Sequence, residues 1–288
     1  MSSQTLLSRQ EVYRRAKEIQ PLPASVRRLL KLVSSDLYST SDIVEVVQYD
    51  PALTGDLLVR ANSAESASRT RITEIKVAVN RLGANTVVQT ALGRALNRQM
   101  SGALPAYGLE KGDMWEHALA SSVAADLVLA RAGSALPSNL STAALLHDVG
   151  KLVVSACLPP SLVTSLAQTA EIEGRELVGV ERDVLGIDHA EVGAIVARSW
   201  GMPVSIQVAI TKHHDWRDIE DRFALGVALS DRLAHLIHEI DEEADPRELP
   251  EAAEAMELMA MVGVEDHQYL PLVGEGRIQY DAIRTAFS

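Results

Sequence analysis

Five of the eight histidines in this sequence, and two of its aspartates, lie where a metal site would need them. The adjacent pair His147 and Asp148 interrupts the apolar run 143–146, and Asp231 is the first charge after the nearly apolar stretch 223–230. An ionised carboxylate in a helical core costs several kcal/mol unless a partner compensates it. A divalent cation shared with imidazoles is one such partner. The full set is His117, His147, Asp148, His189, His213, His214 and Asp231.

Each of these residues also has an ordinary structural interpretation. A single helical histidine is most often a core or surface residue, and His147 with Asp148 could be no more than a hydrogen-bonded pair. His213 and His214 could mark an exposed helix end, where protonated imidazoles suit the helix dipole. Together, in this order, the residues predict a site for one or two divalent ions. Histidine with carboxylate suits Fe, Mn, Ni or Zn better than Ca or Mg.

The elements that position these residues are predicted to be helices throughout. Helical periodicity and capping residues recur along the chain, and no period-two pattern or Asn-Gly hairpin indicates a strand. Asp113 and Glu116 form a capping-box pattern that opens a helix ending at Ala132. The stretch 139–157, which holds His147 and Asp148, is predicted to be one continuous helix. We therefore predict an all-α fold, with a small N-terminal bundle packed on a larger one.

A stretch containing three glycines and a proline, residues 101–112, is the best candidate for a joint between the two bundles. It divides the chain into an N-terminal half, residues 1–110, and a C-terminal half, residues 111–288. The N-terminal half has 14 Lys+Arg against 10 Asp+Glu, and the C-terminal half has 13 against 29. So acidic a C-terminal half argues against binding to a nucleic-acid backbone.

The composition is that of a globular protein, with 47% hydrophobic and 23% charged residues. The first twenty residues lack the apolar core of a signal peptide, and no run of about eighteen uninterrupted apolar residues indicates a membrane span. The single cysteine, Cys157, lies in an apolar stretch and is expected to be a buried small hydrophobe. We expect a cytoplasmic protein.

The order His, His-Asp, His, His-His, Asp resembles the HD phosphohydrolase superfamily, which includes the HD-GYP cyclic-dinucleotide phosphodiesterases. The similarity is carried by residues 115–117, 145–151, 188–193, 212–214 and 228–231. It implies that one metal is held by His117, His147, Asp148 and Asp231, and that a second is served by His189, His213 and His214. It also implies that Lys151 faces a phosphate.

The N-terminal half of the sequence refines the resemblance. Residues 22–23, 50–54, 57–64 and 78–83 are similar to the HDOD domain, an HD-related output domain of bacterial signalling. This similarity extends over roughly residues 18–240. It implies a regulatory role through binding signalling proteins, often beside cyclic-dinucleotide circuitry. Members are generally regarded as non-catalytic, and many have lost some of the metal set.

This sequence departs from both patterns. It keeps the whole ligand order, which leaves a metal-dependent phosphodiesterase or phosphohydrolase as an alternative function. The sixteen residues between His214 and Asp231 contain no Gly-Tyr-Pro motif, which argues against hydrolysis of cyclic di-GMP. A sensor that binds a small ligand or nucleotide in the cleft between bundles is a further alternative. The oligomeric state is left open.

Overall fold

The computed structural model describes residues 9–33, 37–62, 71–158, 165–238 and 245–287. Within these ranges the chain is helical and contains no β-strand, apart from one isolated bridge between Leu104 and Leu109. The all-α prediction is confirmed. The helices are α1 Arg9–Glu18, α2 Ala24–Val33, α3 Thr40–Val47, α4 Pro51–Ala61, α5 Ile75–Met100, α6 Asp113–Ala132, α7 Leu140–Leu146, α8 Gly150–Cys157, α9 Ser165–Glu173, α10 Leu177–Leu185, α11 His189–Ser199, α12 Val204–Lys212, α13 Arg222–His238, α14 Pro250–Val262 and α15 Tyr269–Phe287.

Local signals set several helix ends. Asp50 accepts a hydrogen bond from the backbone N–H of Leu53, and Pro51 occupies the first turn of α4. Asp188 caps α11 in the same way through Glu191 N–H. Gly83 has a φ of 76°, so α5 is two helical segments joined at a kink. Residues 63 and 64 of the 57–64 motif lie outside the described residues.

The predicted capping box at Asp113 is wrong. Gly112, in a left-handed conformation, is the N-cap of α6. The Asp113 carboxylate instead accepts a hydrogen bond from the backbone N–H of Glu110, before the helix begins. The carboxylate is therefore engaged by the preceding turn. Cys157 also differs from expectation, because it is only half-buried.

One hydrophobic core runs through the described residues of both halves of the chain, from Val12 to Tyr280. Helices α2, α3 and α4 pack on α5, while α6 packs on α7, α13 and α15. Helix α1 packs on α8 and α11, although it belongs to the N-terminal half of the sequence. The boundary between 1–110 and 111–288 stays a prediction, since the core is continuous across it.

Two helical stretches, Asp113–Ala135 and Leu140–Cys157, are long and apolar enough to cross a membrane by length and composition. In the fold, 56% and 72% of the most apolar 18 residues of the two stretches are buried inside the protein. They also carry His117, His147 and Asp148. Burial of this kind is typical of core helices, so the two stretches are weak evidence for a membrane protein.

Candidate metal centre

The predicted site residues come from five places in the fold and meet in one buried cluster. His117 lies in the second turn of α6, and His147 and Asp148 lie between α7 and α8. His189 is the first residue of α11, whereas His213 and His214 directly follow α12. Asp231 lies in the middle of α13. The structure thus brings together every residue that was predicted as a ligand, and their role as ligands stays a prediction.

The predicted single helix over 139–157 is wrong, and the break falls at the His147-Asp148 pair. The His147 ring donates from Nδ1 to the carbonyl of Ala144, at 2.7 Å. In a continuous helix that carbonyl would accept the backbone N–H of Asp148. The chain instead tightens, with Lys151 N–H bonded to the Asp148 carbonyl three residues earlier. The side chains of the pair are thereby turned toward α6 and α13.

A first group of ligand atoms forms where α6, the α7–α8 turn and α13 meet. His117 Nε2 lies 3.3 Å from His147 Nε2 and 3.0 Å from Asp231 Oδ1. His147 Nε2 lies 3.5 Å from Asp231 Oδ1 and 3.5 Å from Asp148 Oδ2. Two atoms that are each about 2.0–2.2 Å from one ion are roughly 2.8–3.6 Å apart. These separations are therefore those of ligands that share an ion.

A second group surrounds the other oxygen of Asp148. Asp148 Oδ1 lies 3.2 Å from His189 Nε2 and 3.9 Å from His213 Nε2. His214 Nε2 lies 3.0 Å from His189 Nε2. Ligand atoms of these four residues lie within 4.8 Å of one another. Asp148 thus faces both groups, one oxygen to each, which is the placement of a carboxylate that bridges two ions.

Two atoms of the cluster indicate that a cation fits there. Asp148 Oδ1 and His213 Nε2 are buried and make no hydrogen bond within the described residues of the chain. A buried acceptor without a partner costs about 1–3 kcal/mol. Both are good metal ligands, and an ion between them would satisfy both. Buried histidine and aspartate atoms could hold a metal in this way.

The ring orientation of three histidines is fixed by their other nitrogen. His147 and His213 donate from Nδ1 to the backbone carbonyls of Ala144 and Ile210, which can only accept. His189 donates from Nδ1 to Glu181, at 2.7 Å. In each case Nε2 is directed into the cluster. Partners of this kind fix the tautomer of metal-binding histidines and raise their basicity.

Burial and charge set the protonation of the cluster. Burial lowers the pKa of His213 to about 3 and that of His117 to about 4, so both rings are neutral. Burial opposes the charged form of His189 as well, but Glu181 and Asp148 outweigh it and raise that pKa to about 9. Burial alone would raise the pKa of Asp148, yet Lys151 and the histidines hold it well below its usual range. The Asp148 carboxylate is therefore ionised.

Lys151 lies at the edge of the cluster, and its role in facing a phosphate stays a prediction. Its ammonium donates to Asp148 Oδ2 at 2.5 Å and lies 5.6 Å from the ring centroid of Tyr107. Burial would lower the pKa of Lys151, but Asp148 outweighs burial and raises it. The lysine is therefore charged and engaged by the carboxylate that faces both groups.

Three residues of the cluster were missed in the sequence. His235 and His238 follow Asp231 by four and seven positions, the spacing that places side chains on one helical face, and this signal was available. The Nε2 atom of His238 lies 3.4 Å from Nδ1 of His117. Glu181 carried no signal, because it stands among other charged residues of α10. Its complete burial is visible only in the fold.

Comparison with known sequences decides the family. The sequence model of the HDOD domain matches residues 19–216, more than half of the chain. The chain belongs to the HDOD domain family. The predicted resemblance is therefore confirmed. Among curated proteins, this HDOD chain is 28% identical over 208 residues to an uncharacterised protein of Treponema pallidum (strain Nichols). That match covers 70% of the chain but only 38% of the relative, so the chain spans less than half of the relative's length.

Three solved structures share the fold of this HDOD chain. An HDOD domain protein of unknown function from Geobacter sulfurreducens has a TM-score of 0.69 at 21% identity, over 96% of this chain and 97% of that one. A protein from Shewanella amazonensis SB2B, provisionally named a phosphohydrolase, has a TM-score of 0.69 at 21% identity, over 94% and 97%. A protein from Marinobacter aquaeolei VT8, provisionally named a signal transduction protein, gives 0.66 at 23% identity, over 93% and 59%.

Proposed function

We propose that this HDOD chain is a bacterial signal-transduction output module that acts by binding other signalling proteins, and that its His/Asp centre holds metal for structure. Family membership supports the output role, since the HDOD resemblance implies regulation through binding. The provisional name of the Marinobacter aquaeolei structure points the same way. Proteins of cyclic-dinucleotide circuitry are the partners that the resemblance implies.

Burial of the ligand atoms is the observation that favours a structural metal over a catalytic one. The side chains of Asp148 and His147 are 4% and 1% exposed, and that of His213 is fully buried. A catalytic metal site keeps a position open to water or substrate, whereas a structural site is closed by protein ligands. Asp148 Oδ1 is itself buried, so a phosphoester could not contact it without a movement of the surrounding residues. The centre therefore resembles a structural metal site in the core of a helical bundle more than an open substrate cleft.

The second candidate function is that of a metal-dependent phosphohydrolase. The complete ligand set favours it, as does a charged Lys151 at the edge of the cluster. The Shewanella amazonensis structure carries that provisional name. A bound metal would supply a Lewis acid for a phosphoryl oxygen. Lys151 would stabilise the phosphoryl charge, but it must first leave the Asp148 carboxylate, with which it pairs at 2.5 Å. That pairing weighs against the second candidate.

Elemental analysis and a hydrolysis assay together test the proposal. Untagged protein from supplemented medium is expected to hold about one or two Fe, Mn, Ni or Zn per chain. It is expected not to hydrolyse cyclic di-GMP above a metal-only control, whereas weak cleavage of the activated ester bis-p-nitrophenyl phosphate would be compatible with a bound metal alone. The matched variants are Asp148→Ala, which removes the bridging carboxylate, and Lys151→Ala, which leaves every candidate ligand intact. Robust turnover by the parent that both variants abolish would establish the phosphohydrolase instead.

A further inference from the structure

His235 lies beside the first group of candidate ligands but belongs to no motif of the sequence. It follows Asp231 by four residues on α13, so the two side chains share one face of the helix. His235 Nε2 lies 3.7 Å from Asp231 Oδ1, and its ring centroid lies 4.6 Å from that of His117. Ligand atoms of His117, Asp231 and His235 all lie within 4.8 Å of one another.

The spacing between His235 and Asp231 is that of two ligands rather than that of a hydrogen bond. An N–H···O hydrogen bond spans about 2.7–3.2 Å, so 3.7 Å is too long for one. It is within a few tenths of an ångström of the roughly 2.8–3.6 Å expected for two atoms bound to one ion. The three separations that join His117 and His147 to Asp231 and to each other, 3.0–3.5 Å, are in the same range.

Asp231 Oδ1 is available for this purpose because the other oxygen is already occupied. Asp231 Oδ2 accepts from Arg232 at 2.6 Å, and Arg232 in turn donates to Glu254 at 2.6 Å. Oδ1 is thereby held toward His117, His147 and His235. His235 is one-third exposed, so it approaches the group from its solvent side. The buried faces are taken by His147 and Asp148.

We propose that His235 is an additional protein ligand at the first metal position, alongside His117, His147, Asp148 and Asp231. This inference rests on the proposed function, because it requires that the centre holds metal. A fifth protein ligand from the solvent side takes a place that a catalytic site would leave to water or substrate. His235 would then bind the ion more tightly and close the first position, which deepens the structural role of the metal.

Cobalt binding tests this proposal with a readout that does not depend on activity. Metal-free parent, His235→Ala and His235→Gln are titrated with Co²⁺, recording affinity and the visible ligand-field bands, which report coordination number and nitrogen ligation. The matched control is His267→Ala, a histidine that is 67% exposed and pairs with Glu265 on the surface. Loss of an outer partner costs about tenfold to a hundredfold in metal affinity, and loss of a ligand costs at least as much.

We expect both His235 variants to bind Co²⁺ at least tenfold more weakly at one position, with changed bands, while His267→Ala matches the parent. Thermal melting of the metal-free variants, compared with metal-free parent, verifies folding, and the glutamine variant preserves the polar character of the site if alanine unfolds the chain. Parent and folded variants with the same affinity and superimposable bands would overturn the role of His235 alone. A parent that binds no cobalt would overturn the proposed metal centre and this inference with it.

Discussion

Glu181 holds His189 by two hydrogen bonds, one from the backbone N–H at 2.8 Å and one from ring Nδ1 at 2.7 Å. The same carboxylate accepts from the hydroxyl of Tyr107. Glu181 is completely buried, and burial would raise its pKa, but His189 and Tyr107 outweigh burial and lower it. The ionised carboxylate therefore fixes the N-terminal end of α11 and directs Nε2 of His189 at Asp148.

Replacing Glu181 by glutamine should weaken the second metal position. The shape is kept but the charge that orients and polarises the His189 ring is lost, so affinity there should fall about tenfold to a hundredfold. Competition with a chelator measures the affinity of each position. Glu171→Gln, on the exposed side of α9, is the control and should bind as the parent does. Equal affinity in Glu181→Gln and Glu171→Gln would show that the carboxylate only supports packing.

Replacement of Asp148 and replacement of Asp231 should reduce the number of bound ions by different amounts. Asp148 faces both groups of ligand atoms, whereas the closest histidine contacts of Asp231 are His117 and His147. If two ions bind, Asp231→Asn should keep about one per chain, while Asp148→Asn should keep almost none. Elemental analysis after gel filtration gives the number, with the exposed Asp281→Asn as control. Equal loss in the two variants would mean that a single ion is shared by all the ligands.

Alanine substitutions at two glycines should distinguish the effect of close helix packing on stability from the effect of helix propensity. A Cβ at Gly150 would lie 1.9 Å from the carbonyl oxygen of His189 and 2.6 Å from the backbone nitrogen of Gly193. Since backbone cannot yield as a side chain can, Gly150→Ala should force α8 away from α11 and cost about 1–3 kcal/mol or more. Gly55, exposed in α4, has nothing within 4 Å of its Cβ position. Gly55→Ala should gain about 0.5–1 kcal/mol.

Urea unfolding of both variants measures the difference in free energy. The metal content of Gly150→Ala should fall as well, because His189 follows the movement of α11. Near-native stability of Gly150→Ala would indicate that the close approach of the two helices is not needed for folding.

Three of the chemistry-bearing residues could be predicted from sequence because they stood out against an apolar background, whereas the other histidines were identified by their order along the chain and by the family resemblance. His147 with Asp148 and Asp231 all interrupt long apolar runs, and helical periodicity was equally clear. The break in the helix at His147 could not be predicted, since it depends on a ring-to-carbonyl bond and on the contact between Gly150 and α11. Glu181 was hidden for a similar reason: α10 alone does not reveal which of its charges is buried.

The free energy of unfolding of the metal-free protein should decrease both when the pH falls and when it rises. Folding keeps His213 and His117 neutral, with pKa values of about 3 and 4, while the unfolded chain takes up protons near 6.5. Their contribution is present above 6.5 and is lost as the pH falls toward those values. His189, with a pKa of about 9, contributes stability that is present below 6.5 and lost as the pH rises through 9.

Chelator-treated protein should therefore be most stable near pH 6.5, with the free energy of unfolding decreasing on both sides. Urea unfolding at intervals between pH 4.5 and 9.5, at constant ionic strength, gives the curve. A free energy of unfolding that stays level from pH 6.5 to 4.5 would contradict the neutral burial of His213 and His117.

The fragment 1–110 should not fold as a cooperative unit. Val12 and Ala16 of α1 are buried, and α1 packs on α8 and α11 of the C-terminal half. Gln89 of α5 donates to Ser122 at 2.6 Å and to Asp126 at 3.0 Å, both on α6. Cutting after residue 110 exposes these apolar side chains and leaves the Gln89 amide without its partners, so the fragment should keep helix but lose fixed packing.

Circular dichroism and calorimetry distinguish the outcomes. The full chain should melt in a sharp transition with a heat-absorption peak, whereas fragment 1–110 should show a broad loss of helix, no peak and binding of a hydrophobic dye. The control is the fragment 19–110, which ends at the same residue but lacks α1. If α1 is exposed in the fragment, its removal should reduce dye binding without changing the melting profile. A sharp calorimetric transition of 1–110 would instead establish that the N-terminal half is an independent domain, with α1 packed on its own bundle.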